Sequence, residues 1–285
     1  LTGLDLTNTN LSGVDLSDKD LTGTIFDCVI TNIKIPCINF IDTNLENTNL
    51  EYASFLDVDL TKIKNKSLAG ANLDDASFAH SNLSGINLDG AILDATNFNN
   101  ATLSGLDFTV ISGGDLIQAS PGRPFIDGGA FIDADLSNSN FEGVDLSPKK
   151  LYLKVFKDKA HLISDGTLTP KDEAMIRDNL FGVFPYIIII SAEVRGNDLV
   201  VSFVSYNTFT RANLENANFK NTILWHANFY STNLANADLS GADLRNAYFG
   251  NADLSNANLS GANISGAFVD ESTILKCKNH PICNS

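Results

Sequence analysis

Large apolar residues recur at every fifth position over long stretches of the chain. From Phe209 to Ile274 the phase holds through fourteen repeats. A small residue, most often Ala, lies two positions before most of the large ones, and Asn or Asp usually lies between them. Alternate residues of an extended segment point to the same side, so the small and the large residue share one face of a short strand. The next two residues are of turn type, and the pattern predicts a strand and a corner in every pentad.

The same pattern occurs earlier in the chain in other registers. It covers four further stretches: 1–26, 30–60, 68–108 and 131–146. A unit of five residues cannot bury its apolar face alone, so successive turns must stack. Phe209, Phe229 and Phe249 are 20 residues apart and should lie directly over one another if four pentads close a coil. The 40 repeats then predict an all-β solenoid of about ten coils.

Short and long breaks interrupt the phase. It slips by one residue after Phe26 and gains three residues between Leu60 and Leu68, which predicts corner bulges or small loops. Residues 109–130 contain Gly and Pro clusters and are predicted to leave the solenoid as a loop.

Residues 147–204 predict a small α+β module inserted in the solenoid. This segment contains no pentads, and it carries six Lys and two Arg. Thr169 as a cap and Pro170 at the first helical position predict a helix that reaches about Phe181. The β-rich runs 186–194 and 198–206 predict a hairpin, and 151–156 could add a third strand. The predicted division is a solenoid half (1–146), the module (147–204), a second solenoid half (205–275) and a C-terminal tail (276–285).

The repeat unit resembles that of a known family. ANLENANF at 212–219 and ANADLSGADLRNAYFGNADLSNANLSGANI at 235–264 are similar to the A(D/N)LXX repeat of pentapeptide-repeat proteins. The resemblance extends over about 200 residues. It implies a right-handed quadrilateral β-helix in which the large residue and the preceding small residue both point inward.

The net charge of −15 is concentrated in the first half of the chain. Residues 1–146 carry 6 Lys and Arg against 21 Asp and Glu, whereas the remaining residues are close to neutral. A nucleic-acid binder needs the opposite sign, so direct binding to nucleic acid is not predicted. A cationic partner, or one that normally binds nucleic acid, fits better. The candidate acidic face consists of Asp5, Asp15, Asp20 and Asp59.

Neither catalysis, a cofactor nor a membrane span is predicted. The four His residues lie in unrelated parts of the chain, and no Ser, Cys or carboxylate group accompanies them. The longest apolar run, residues 181–192, is shorter than the roughly 20 residues that cross a bilayer. The compartment and the oligomeric state cannot be read from the sequence.

The cysteines allow several interpretations. Cys277 and Cys283 could form a disulfide that fixes the C-terminal cap, or they could be free thiols. With His280 they supply three candidate metal ligands, fewer than the four of a closed zinc site. Cys28 and Cys37 are predicted to lie about two sides apart and unbridged, with Cys28 a small core residue.

Exposed aromatic and arginine residues are the candidates for partner binding. Trp225 and Arg245 share one turn position a coil apart and are expected to stack. Tyr248 and Phe268 are also 20 residues apart, at an outward position. The full set is Arg195, Asn197, Trp225, Arg245, Tyr248 and Phe268.

Three hypotheses about function follow. The first is a non-enzymatic scaffold that binds another protein through its solenoid faces and the module. The second comes from the resemblance, since some pentapeptide-repeat proteins look like B-form DNA: a DNA-mimicking inhibitor or protector of a topoisomerase such as DNA gyrase. The third is a structural rod that carries a small ligand-binding or enzymatic module.

Overall fold

The computed structural model describes most of the solenoid and part of the inserted segment. The described residues are 1–28, 37–93, 96–111, 131–132, 134–142, 144, 146, 152–158, 169, 176, 187–195, 197–205 and 208–284. They contain strands β1 (Tyr152–Phe156), β2 (Ile187–Arg195) and β3 (Asp198–Ser205), and short 3-10 helices at Lys64–Lys66 and Pro281–Asn284. The predicted loop 109–130 and the predicted helix from Pro170 lie almost entirely outside the described residues.

Along the solenoid, the middle residue of each pentad forms a rung that pairs with the next coil. Asn213 bridges Asn233 and Asn233 bridges Asp253, in parallel and at the predicted spacing of 20. The Leu214 N–H donates to the Asn233 carbonyl at 2.8 Å, and the Asn233 N–H donates to the Ala212 carbonyl at 3.1 Å. The chain therefore folds as a right-handed, four-sided β-helix of about ten coils, as predicted.

The middle polar residue also shapes the corner that follows it. Asp5 Oδ1 accepts the Thr7 N–H at 3.0 Å, and Asn233 Oδ1 accepts the Ala235 N–H at 3.0 Å. Asn and Asp are preferred here because their short side chains can bond the backbone two residues further on and so close a turn. The second corner residue takes the left-handed conformation, with φ of 59° at Asn216, which Asn and Gly adopt more readily than other residues.

Phenylalanine rings form a stacked column inside the rod. The centroids of Phe209 and Phe229 are 5.2 Å apart and those of Phe229 and Phe249 are 5.1 Å apart, with each pair of rings 5° from parallel. This confirms the stacking predicted from the spacing of 20. Phe131 stacks on Phe209 at 5.3 Å, although the predicted module separates them in sequence. The core is thus continuous across the interruption.

Polar contacts join the two solenoid halves at the same junction. Asp135 bridges Asn213, which lies 78 residues later in the sequence, far more than the four pentads of one uninterrupted coil. The excess over one coil equals the length of the predicted module, whose bounds stay a prediction. Asn213 Nδ2 donates to Asp135 Oδ1 at 3.0 Å, and Lys220 Nζ pairs with Glu142 Oε1 at 2.9 Å.

The described part of the inserted segment is a three-stranded antiparallel sheet. β3 lies between β1 and β2. Ile187 pairs with Ser205 and Arg195 with Asp198, so β2 and β3 form the predicted hairpin, which has an irregularity between Ile189 and Ser191.

The first interruption is longer than predicted. Asp20 bridges Asn49, which lies 29 residues later, nine more than one coil. A disulfide between Cys28 and Cys37, with Cα atoms 4.9 Å apart, closes off the extra residues. The prediction of a one-residue slip and two unbridged cysteines is wrong, because it counted the intervening residues as sides of the coil. Cys28 is buried, as predicted.

Two smaller changes of register follow. Asn49 bridges Asn72 after 23 residues, which confirms the three added residues near Leu60. Asp253 bridges Ile274, which lies one position beyond a full coil. Ile274 therefore takes an outward rung position and is 42% exposed, and Leu275 packs against the core instead. The predicted inward position of Ile274 is wrong because the corner before it holds one extra residue.

Candidate interaction surface

Three exposed aromatic rings lie next to one another near the C-terminal end of the rod. Tyr248 and Phe268 stack with centroids 4.8 Å apart and planes 2° from parallel. The Tyr230 ring lies 6.1 Å from that of Tyr248. The exposed fractions are 41% for Tyr230, 37% for Tyr248 and 49% for Phe268. These three residues are called the outer aromatic column.

A glycine makes room for the middle ring of this column. A Cβ at Gly250 would lie 2.7 Å from the Tyr248 hydroxyl oxygen, so the ring occupies the space that a side chain would need. Tyr230 lies one coil away at the equivalent corner position, and the Ser231 N–H beside it donates to the Gly250 carbonyl at 2.9 Å. Gly250 thus lets a rung side chain reach over the corner toward Tyr230.

Carboxylates border the outer aromatic column. Asp270 Oδ1 accepts the Ser272 hydroxyl at 2.6 Å and the Asn251 N–H at 3.1 Å, and these bonds lower the pKa of Asp270 to about 2. Burial and the nearby Asp270 carboxylate raise the pKa of Tyr248. Glu271 follows Asp270 and is exposed. The column therefore has fixed negative charge beside it.

The predicted stacking of Trp225 on Arg245 is wrong. Arg245 Nε and Nη2 donate to the two carboxylate oxygens of Asp243 at 2.8 and 2.6 Å, which raises the pKa of Arg245. The Trp225 ring meets His226 edge to face, with centroids 5.1 Å apart. Burial lowers the pKa of His226. The Asp243 carboxylate, two residues before Arg245, holds the guanidinium by charge-assisted bidentate bonds.

Arg195 and Asn197 lie at the tip of the β2–β3 hairpin. Both are exposed, and the Arg195 guanidinium pairs with Glu193 two residues earlier. Among the contacts of the described residues, neither Arg195 nor Asn197 touches a ring of the outer aromatic column. Their role in binding stays a prediction.

The predicted acidic face is wrong in its geometry. Asp5, Asp15, Asp20 and Asp59 bridge Ile25, Asn44, Asn49 and Asn82, which belong to four different rows of rungs. Each pentad turns one corner, so Asp residues at spacings of five or ten fall on different sides. The acids of the first half therefore surround the rod.

The C-terminal segment closes the end of the rod. Cys277 and Cys283 form a disulfide with Cα atoms 5.0 Å apart, and both pack against the core together with Ile282. All four cysteines of the chain are bridged. His280 Nδ1 accepts the Ile282 N–H at 3.3 Å, as a turn residue does.

Two other kinds of feature, a metal site and a membrane span, are absent from the described residues. No group of three or more His, Cys, Asp or Glu is placed to hold a metal ion in the part of the chain that the structure describes. Among the same residues, no helix has the length and apolar character needed to cross a bilayer.

Comparison with known families decides the classification. The model of pentapeptide repeats matches eight copies, over residues 1–29, 38–62, 68–109, 209–246 and 237–273. The chain belongs to the pentapeptide-repeat family. Pentapeptide repeats form a scaffold of stacked coils, and the matched residues coincide with the rungs described above.

Solved structures of other pentapeptide-repeat proteins are similar to this chain. HetL, involved in heterocyst differentiation regulation in the cyanobacterium Nostoc sp. strain PCC 7120, is 25% identical over 97% of this chain and 86% of its own, with a TM-score of 0.47. A thylakoid-lumen pentapeptide repeat protein of Arabidopsis thaliana is 42% identical over 24% of this chain and 46% of its own (TM-score 0.23). A trypsin-treated variant of QnrB1, a plasmid-mediated fluoroquinolone resistance protein, is 14% identical over 95% and 91% (TM-score 0.34). No curated protein matches the chain.

The sequence led to only part of this surface. The spacing of 20 correctly placed Tyr248 and Phe268 at equivalent outward positions. Tyr230 was missed because it occupies a corner position, outside the row of rungs. The signal was present: Gly250 follows Tyr230 by 20 residues, so the corner above Tyr230 has no side chain to cover it.

Proposed function

We propose that this chain is a non-enzymatic protein-binding scaffold whose main contact surface is the outer aromatic column. The observation that carries the proposal is the exposure of three neighbouring rings, two of which the coil holds in one stack. Tyr and Trp are enriched among the residues that contribute most to protein interfaces, because large rigid rings lose little conformational freedom on binding. Contiguous exposed apolar groups are uncommon unless a partner covers them.

The polar character of the other rungs supports the proposal that a partner binds at the outer aromatic column. Most rungs of the described solenoid present Asn, Asp, Ser or Thr, which the corner bonds and side-chain ladders already engage. Such side chains have their bonding capacity partly used and offer little apolar area. The outer aromatic column offers ring edges, the Tyr248 hydroxyl and an adjacent carboxylate within one small region.

Affinity capture with matched variants tests the proposal. The intact chain should retain a partner from the lysate of its source, and Tyr248→Ser combined with Phe268→Ser should lose it. Tyr52→Ser is the control, because Tyr52 is also an exposed tyrosine but lies far along the chain among acidic residues. If the double variant and the control retain the same proteins equally, the outer aromatic column is not the contact surface.

The inserted segment is proposed to add a second contact through Arg195 and Asn197. The continuous core at the junction supports a test by deletion: without 147–204, the two solenoid halves should still stack. The shortened chain should remain folded by circular dichroism and should bind the partner more weakly. Full binding by the shortened chain would remove the segment from the interface and leave it as a separate carried module.

A second candidate function is occupation of a DNA-binding site on a topoisomerase. It is favoured by the net charge of −15 on residues 1–146 and by the placement of Asp5, Asp15, Asp20 and Asp59 on four sides, since DNA is also anionic all round. A gyrase supercoiling assay tests it. Inhibition should weaken when the four residues are replaced by Asn, and no inhibition at micromolar protein would remove the hypothesis.

A further inference from the structure

The outer aromatic column ends in a ring with one open face. Phe268 stacks on Tyr248 through one face and is nevertheless 49% exposed. Among the described residues, no other ring lies against Phe268. The face of an aromatic ring carries negative electrostatic potential, so an open face attracts a cation.

Negative charge lies beside the outer aromatic column, since the Asp270 carboxylate raises the pKa of Tyr248. Asp270 is two residues from Phe268 and remains ionised down to about pH 2. Its Oδ1 is occupied by bonds from Ser272, Thr273 and Asn251, which fix the corner. Glu271 comes next, is exposed, and makes no bond to any described residue.

The basic residues of the last coil lie elsewhere. Lys278 bridges Asn258, which places it two sides beyond Phe268. Lys276 precedes it, after the outward Ile274. The charged residues nearest to Phe268 in the last coil are therefore Asp270 and Glu271, whereas the two Lys residues follow on later sides.

An arginine side chain matches this combination better than other groups do. Its guanidinium is planar and can stack on a ring face while its N–H groups bond a carboxylate at the edge. Lysine offers a compact charge that is more strongly hydrated, and an apolar side chain gains nothing from the carboxylates.

We infer that the open end of the outer aromatic column, formed by Phe268 with Asp270 and Glu271, binds an arginine side chain in a basic segment of a partner protein. This inference rests on the proposed function and adds the chemistry of the partner.

The test uses a synthetic eight-residue peptide of Gly and Ser with two Arg, and its counterpart with citrulline, which has the shape of arginine without the charge. Proton NMR follows the arginine δ-methylene shifts as each peptide is titrated with the intact chain. The arginine peptide should bind with an upfield shift of these protons, caused by the ring beneath them. The citrulline peptide should bind at least several-fold more weakly.

Variants then assign the site. Phe268→Leu keeps an apolar side chain and should remove the upfield shift while weakening binding about two- to fivefold. Glu271→Gln should weaken binding and keep the upfield shift. Trp225→Leu is the control and should change neither, since the Trp225 ring meets His226 edge to face and the cationic Arg245 occupies the same turn position one coil away.

Equal binding of the citrulline peptide, or equal effects of Phe268→Leu and Trp225→Leu, would overturn the inference. Partner capture that depends on Tyr248 and Phe268, without arginine-peptide binding, would leave the proposed function standing and remove only the inference. Capture of a second copy of the chain, seen as a doubled mass in light scattering, would also overturn it.

Discussion

Loss of the Cys28–Cys37 disulfide should loosen the first coil while the rest of the rod stays intact. The first coil bonds to the second partly through residues that follow the nine-residue excursion. The Leu11 N–H donates to the Asn39 carbonyl at 2.9 Å, and the Leu21 N–H donates to the Asn49 carbonyl at 2.8 Å. The disulfide holds the two ends of the excursion together, so these pairs form without a further loss of chain entropy.

The magnitude follows from the size of the closed loop. The two cysteines are nine residues apart. The chain-entropy model gives about 2.6 kcal/mol at 25 °C for a loop of this size. Because stability in a solenoid is approximately local, the loss should fall on the first coils. It corresponds to roughly an 80-fold increase in local opening.

Hydrogen exchange of individual amides measures this effect. In a Cys28→Ala and Cys37→Ala variant, protection of the Leu11, Leu16 and Leu21 amides should fall by about that factor, whereas the Leu234 amide should be unchanged. Alanine is chosen because Cys28 is buried, and the reduced wild-type chain provides a check that keeps both sulfur atoms.

A second pair of substitutions serves as the matched control. Cys277→Ala with Cys283→Ala opens a loop of six residues, worth about 2.2 kcal/mol in the same model. It should lower protection at the C-terminal end and leave the Leu11 amide unchanged. Equal loss of protection throughout the rod in either variant would refute the argument that the disulfides act locally.

Three further predictions concern the core, the outer aromatic column and one carboxylate. Ala242→Phe should lower the free energy of unfolding by about 1–3 kcal/mol in chemical denaturation, because Ala242 is fully buried, and Ala235→Phe at a corner should change it little; equal effects would contradict the inward position. Gly250→Ala should push the Tyr248 ring outward and alter its NMR ring shifts with little change in melting temperature, and unchanged shifts would contradict the close packing. Asp270 should titrate near pH 2 by carbon NMR; since its pKa is lowered in the folded state, it stabilises the fold above its ordinary pKa of 3.8, and this stabilisation is lost as the pH falls toward 2. A midpoint near 3.8 would mean that the Ser272 and Asn251 bonds do not form.

The repeat was predictable because its physics is local. A period of five with a small and a large apolar residue two positions apart has few solutions other than a stacked coil. The spacing of 20 then fixed the neighbours of every residue inside an uninterrupted stretch. The stacking of Phe209, Phe229 and Phe249 follows from that count alone, and the structure confirms it.

The wrong predictions have two causes. Residues outside the coil were counted as part of it, or the corners between neighbouring sides were ignored. Cys28 and Cys37 seemed to be two sides apart because the residues between them were assigned to the coil. Asp15 and Asp20 seemed to share a face although a corner separates them. Trp225 and Arg245 do share a turn position. The Arg245 guanidinium nevertheless bonds the Asp243 carboxylate, and the five-residue period does not determine such side-chain bonds.

The stacking of Phe131 on Phe209 has a consequence for how this chain can change. At that junction, Leu146 and Thr208 lie on consecutive sides of the coil, so the inserted segment departs and re-enters at one corner and its two ends lie close together. The entropic cost of closing a loop rises only slowly with its length, so the solenoid should accept other inserted domains whose two termini lie close together. Substitutions in the inserted segment should therefore have little effect on the repeats of the solenoid. The same corner is a suitable position for inserting a foreign domain.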